Sequence, residues 1–74
     1  MIQAELIHIF KNIELENYDL SSSLRDINIQ KNNVLITLSV SNPTLQFKNK
    51  IKTIIENKIL DKFPKAILEI NFIN

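Results

Sequence analysis

The chain has 74 residues with nine basic and eight acidic side chains, so its formal net charge at neutral pH is +1. This length predicts a single domain over residues 1–74 with a thin stability margin, because small domains bury a smaller share of their surface. The near-neutral charge gives no electrostatic argument for binding nucleic acid or a membrane surface.

Cysteine and glycine are both absent from the chain, and each of these absences excludes a class of site. Without cysteine there is no disulfide and no thiolate metal ligand. Without glycine there is no phosphate loop, dinucleotide fingerprint or KH-type RNA clamp, because these loops use backbone conformations that a side chain disfavours. No apolar run is long enough for a transmembrane helix, and Met1–Glu5 has no secretory signal, so we expect a cytoplasmic location.

The first half of the chain predicts a helix, a loop and a hairpin. Apolar residues recur at helical spacing over residues 2–13, and three serines at 21–23 indicate a loop. Alternating apolar and polar residues predict strands over 24–30 and 34–41. The Lys31-Asn32-Asn33 turn between them is expected to use the tolerance of asparagine for left-handed backbone.

The second half predicts one helix and one strand. Asn42 is a favoured N-cap and Pro43 suits the first helical position, so a helix is expected from there through about residue 62. Phe63-Pro64 ends it, because the residue before proline disfavours helical angles. Residues 66–73 alternate again and predict a third strand whose inward residues are Leu68, Ile70 and Phe72.

The order of elements predicts an α+β fold, α-β-β-α-β, in which two helices pack on one face of a three-stranded sheet. The other sheet face is expected to be bare, with Leu35, Ile67 and Ile73 among Asn28, Thr37, Glu69 and Asn71. Such a face either binds a partner or is simply solvated.

Groups that could carry chemistry are sparse. His8 is the single histidine, with no nucleophile placed beside it, and Asp26 and Glu69 are expected to be solvated carboxylates on one sheet face. The lysines of the second helix are interrupted by acidic residues, which argues against a phosphate-binding stripe. We therefore predict no catalytic residue and no metal site. The amide groups at the start of the second helix, Asn42 to Thr44, remain a candidate for binding an anion or a metal-bound group.

Two stretches, Asp26-Ile27-Asn28-Ile29 and Val34 to Leu45 with its Asn-Pro-Thr-Leu ending, resemble the iron–sulfur-cluster-assembly-like domain. That domain occurs in SufT and PaaD proteins, in the NifU C-terminal domain and at the N-terminus of Mrp/ApbC-type cluster-carrier ATPases. The helix from Lys48 to Leu60 and the strand from Ile67 to Phe72 extend the similarity over nearly the whole chain. The sequence departs from these relatives in lacking the acidic-proline-glutamate motif after the first helix and any cysteine.

The resemblance implies a non-catalytic accessory domain that docks onto a carrier ATPase or a recipient iron–sulfur protein. Without cysteine, we expect no directly bound cofactor and an iron–sulfur cluster held by the partner. The expected partner-binding residues are Asn42, Pro43, Thr44, Leu45, Leu35 and Ile67. The alternative is an interaction module with no cluster role, which forms a homodimer through the open sheet face or an edge strand.

Overall fold

The computed structural model describes residues 2–13, 20–40 and 44–73. The elements in chain order are α1 (Gln3–Lys11), α2 (Leu20–Ser23), β1 (Leu24–Gln30), β2 (Asn33–Ser39), α3 (Leu45–Lys62) and β3 (Ile67–Ile73). The predicted α+β fold and its order of helices and strands are confirmed, and α2 is an additional turn of helix. Within the described ranges, no helix is both long enough and apolar enough to cross a membrane.

The three strands form one mixed sheet with β2 in the middle. β1 pairs antiparallel with β2, and β3 pairs with the other side of β2 in parallel. The parallel pairing extends past the end of β2, where the Val40 N–H donates to the Ile73 carbonyl at 3.3 Å. Because α3 connects β2 to β3, the sheet and its crossover helix form a β-α-β unit.

The core lies between the sheet and the two longer helices. Alternate residues of β2, namely Val34, Ile36 and Leu38, point into it and are almost fully buried. The helices cover them with apolar residues at helical spacing: Leu6 and Phe10 of α1, and Ile51, Ile55 and Ile59 of α3. The helices therefore pack on one face of the sheet, as the sequence pattern predicted.

The prediction of a loop at Ser21–Ser23 was wrong, since these residues form most of α2. Leu20 is fully buried and holds this turn against the core, and Ser23 is buried with it. The Arg25 guanidinium donates to the Ser22 carbonyl at 2.9 Å, which satisfies a carbonyl at the end of the turn. Tertiary packing here overrides the low helix propensity of serine. Leu15 and Tyr18, which the sequence predicts to tether this loop to the core, lie outside the described residues.

The hairpin turn lies where the sequence predicts it, but a different residue takes the left-handed conformation. Lys31 and Asn32 connect β1 to β2, and the left-handed residue is Lys31, with φ 57°, rather than an asparagine. A lysine in this conformation costs on the order of 1 kcal/mol. The two strands on either side of the turn are in continuous register and impose this backbone geometry.

The helix α3 begins later than predicted. Thr44 is its N-cap, because its hydroxyl accepts a hydrogen bond from the Phe47 N–H at 3.3 Å. The assignment of the cap to Asn42 and of the first helical position to Pro43 was therefore wrong, although both residues lie outside the described ranges. Threonine is itself a good cap, and the half-buried Phe47 keeps the capped turn on the core. The predicted end is confirmed, with the helix stopping at Lys62 before Phe63-Pro64.

The strand β3 is apolar on both sides and yet buries no residue completely. Leu68, Ile70 and Phe72 point to the helices but stay half-exposed, and the outward Ile67 and Ile73 are exposed. The Lys48 Nζ lies 5.8 Å from the centre of the Phe72 ring, so a charged side chain partly covers this end of the strand. A strand with apolar residues on both sides is typical of a sheet interior, whereas β3 lies at the edge.

The packing predicts that two isoleucine-to-alanine substitutions lower the free energy of unfolding by very different amounts. Ile36 is fully buried on β2, so Ile36→Ala should lower the free energy of unfolding by about 2–5 kcal/mol through lost burial and a residual cavity. Ile67 is 65% exposed on β3, so Ile67→Ala should cost less than about 1 kcal/mol. Urea unfolding followed by circular dichroism measures both, and equal losses would contradict the assignment of the inner face.

Candidate docking surface

The face of the sheet opposite the helices, here called the open face, consists of alternate residues of the three strands. The strand pairing aligns these residues in rows across the sheet. From the hairpin end onward, the rows are Gln30-Asn33-Ile67, Asn28-Leu35-Glu69, Asp26-Thr37-Asn71 and finally Ser39-Ile73. All outward residues of β1 and β3 in these rows are exposed, which confirms the predicted orientation of the third strand.

Leu35 lies in a shallow depression on the open face. The depression has a volume of about 200 Å³ and is lined by Asn28, Gln30, Asn33, Val34, Leu35, Ile67 and Glu69. Its apolar lining comes from Val34, Leu35 and Ile67, and its polar lining comes from three amides and one carboxylate. The structure therefore brings the two predicted sheet residues, Leu35 and Ile67, into one surface. A depression of this composition suits an apolar side chain of another protein, with polar groups around it.

The charged groups of the open face are carboxylates. Asp26 and Glu69 stand on opposite sides of the central strand and one row apart, which separates their backbones by roughly 10–12 Å. Their effect is a modest negative field on both sides of Leu35, which favours a partner with basic or amide groups around an apolar contact.

Two of the other predicted residues, Thr44 and Leu45, belong to the helix layer. Thr44 and Leu45 begin α3, which packs on the covered face, whereas Leu35 and Ile67 lie on the open face. Leu45 is 73% exposed, and Thr44 is exposed while its hydroxyl caps the helix. Asn42 and Pro43 lie outside the described residues. The contact surface predicted to combine the helix start with the open face therefore stays a prediction.

His8 and the histidine and carboxylate groups that could bind a metal are the remaining candidates for chemistry among the described residues. His8 is exposed on α1, and its Nε2 lies 3.3 Å from the amide nitrogen of Asn12, one turn later. In the part of the chain that the structure describes, no three histidine or carboxylate side chains cluster closely enough to hold a metal ion. The alternation of each strand is visible in the sequence, but the register that places Gln30 and Asn33 beside Ile67 is not, so these two residues were missed.

Comparison with known proteins supports the fold. No protein-family model and no curated protein matches the chain. Among solved structures, the chain is similar to the crystal structure of a domain of unknown function, DUF59, from Bacillus anthracis. The TM-score is 0.78 over 96% of this chain and 73% of the other, with 14% sequence identity. At this identity the likeness establishes a shared fold and does not assign a site.

The cap at Thr44 leads to a stability prediction. Thr44→Ala removes the side-chain acceptor of the Phe47 N–H and should lower the free energy of unfolding by about 0.5–2 kcal/mol. Thr44→Ser keeps a hydroxyl and should retain most of that stability. Thr53→Ala, at an exposed position inside the same helix, is the matched control and should be neutral or slightly stabilising. An equal loss in both alanine variants, measured by urea unfolding, would contradict the capping role.

Proposed function

We propose that this chain is a non-catalytic docking domain in iron–sulfur cluster assembly or transfer, acting with an Mrp-type carrier ATPase or a recipient iron–sulfur protein. Two observations of different kinds support this. The sequence resembles the iron–sulfur-cluster-assembly-like domain over nearly its whole length. The fold matches a DUF59 structure, and DUF59 is the family of that domain.

In this proposal the open face is the surface that contacts the partner. It combines an apolar lining at Leu35 and Ile67 with hydrogen-bonding side chains, and it lacks the buried titratable groups that catalysis uses. A rigid three-stranded platform with a few apolar anchors is suited to a transient protein contact, in which a central apolar residue contributes most of the affinity. The partner would place an apolar side chain over Leu35 and basic or amide groups near Asp26 and Glu69.

In this proposal the cluster stays on the partner. Cysteine is absent from these 74 residues, so none of them supplies a thiolate ligand to the cluster. The chain would act by positioning the carrier against a recipient, or by holding the carrier in a conformation that releases its cluster. Both roles require binding energy and shape, but neither requires an acid, a base or a nucleophile from this domain.

A titration of the isotope-labelled domain with a purified Mrp-type ATPase from the same organism tests the proposal. The ATPase is used with and without its iron–sulfur cluster, and amide chemical shifts are followed by NMR. We expect the largest shifts in the Leu35 and Ile67 rows of the open face. Leu35→Lys should weaken binding at least about tenfold, because it places a hydrated charge at the apolar centre of the contact.

Ile2→Lys is the matched control, since Ile2 is 61% exposed and precedes α1 on the covered side. It should leave the affinity unchanged. The proposal is wrong if the ATPase causes no shifts at high micromolar concentration, or if both lysine variants bind like the original chain.

A further inference from the structure

The strand β3 has one free edge in the described structure. Its pairing with β2 uses the backbone groups of Ile67, whose N–H donates to Asn32 at 2.7 Å, and of Ile73, whose carbonyl accepts from Val40. Backbone groups alternate in direction along a strand, so Leu68, Ile70 and Phe72 direct their N–H and C=O groups away from β2. Among the described residues, the sheet ends at β3 and no further strand pairs with this edge.

The two edges of the sheet differ in how well they are protected against pairing. The β1 edge carries a bulge between Leu24 and Asp26, and Arg25 folds back onto the Ser22 and Leu24 carbonyls. A bulge and a charged side chain are the usual means of preventing edge-to-edge association. The β3 edge is regular over seven residues, Ile67–Ile73, without proline, lysine or bulge, and its one charged side chain, Glu69, belongs to the open face.

We propose that β3 pairs antiparallel with β3 of a second copy of this chain, about a two-fold axis at Ile70, to give a continuous six-stranded sheet. In this register Ile70 faces Ile70 of the second copy, Leu68 faces Phe72, and Ile67 faces Ile73. Glu69 faces Asn71 of the second copy, which is a favourable carboxylate–amide pair. The Ile70 pair lies on the axis, and every other contact occurs twice by symmetry, as a two-fold interface requires.

The hydrogen-bonding pattern selects the same register. The pairs Ile70 with Ile70, Leu68 with Phe72, and Phe72 with Leu68 are those whose backbone groups point outward, so each pair can exchange two hydrogen bonds. Shifting the axis to Glu69 leaves fewer residues of the strand paired. It also places Glu69 directly opposite Glu69 of the second copy, which is destabilising. The Ile70-centred register therefore satisfies the whole free edge without opposing like charges.

This pairing also accounts for the incomplete burial of β3. The half-exposed side chains of Leu68, Ile70 and Phe72 would gain cover from the same residues of the second copy, on the side where the helices lie. All helices would then lie on one side of the joined sheet, and the open face would remain available on the other. The proposal uses an edge rather than the open face and does not depend on the cluster-assembly role.

Charge substitutions at Asn71 test the register. Asn71 is exposed, and in the dimer it faces Glu69 of the second copy. Asn71→Lys should strengthen the dimer and Asn71→Glu should weaken it, each by about 2- to 30-fold in Kd, because the cross-strand pair occurs twice. Sedimentation velocity from about 5 µM to about 500 µM measures this, since the dimer has twice the 8.6 kDa mass of the chain.

Asn28→Lys and Asn28→Glu are the matched controls, because Asn28 is also exposed on the open face but belongs to β1. These variants carry the same net charges and should leave Kd unchanged. Thermal melting of all four variants below the dimerisation range checks that the fold is retained.

Amide hydrogen exchange gives a second readout of the same edge. Raising the concentration should slow exchange at Leu68, Ile70 and Phe72, while the amides that already bond to β2 should change little. A monomer at all concentrations would overturn the proposal. So would a dimer in which the Asn28 variants act as strongly as the Asn71 variants, because that result would place the contact on the open face.

Discussion

The burial of the inner side of β2 beneath α1 and α3 is the constraint on which the rest of the structure depends. Val34, Ile36 and Leu38 lie in the middle of the sheet, and the isoleucines of α3 and Leu6 and Phe10 of α1 cover them. A domain of this size has room for one such layer and no second one. The helices therefore cover only one face, and the other face and the β3 edge stay available for contacts between proteins.

Residue alternation and helical spacing were sufficient to predict α1, α3, the three strands and the side that each strand buries. These patterns are strong in this chain because isoleucine and leucine occupy nearly every inward position, as at Ile36 and Ile55. The strand order and the parallel pairing of β3 were not predictable, because alternation defines faces and says nothing about neighbours. The same limit concealed Gln30 and Asn33, which join the depression only through the register.

The errors were local and have a common cause. Residue preferences alone led to a predicted loop at the serines 21–23, a left-handed asparagine in the turn that contains Lys31, and a helix cap at Asn42. In the structure, packing of Leu20 forms a helical turn, strand register imposes the left-handed backbone at Lys31, and Thr44 supplies the cap. Each preference is worth about 1 kcal/mol or less, which is smaller than the burial of a single large apolar side chain.

The candidate surfaces share a physical character, in that they offer shape and backbone groups rather than reactive side chains. The open face provides an aliphatic depression with a weakly acidic surround, and the β3 edge provides a regular row of backbone donors and acceptors. The two surfaces are compatible, because pairing along the edge leaves the face uncovered. A dimer would present two depressions on one side of a joined sheet and bind a two-fold symmetric partner with increased avidity.

In this fold the helices cover one side of the sheet and leave the other exposed. Methyl-resolved NMR with a soluble paramagnetic probe tests this arrangement, because the broadening of each methyl signal reports its distance from solvent. We expect strong broadening for Leu35, Ile67 and Ile73, and little for Ile36, Ile51, Ile55 and Ile59. Equal protection of Leu35 and Ile36 would contradict it, because both faces of β2 would then be covered.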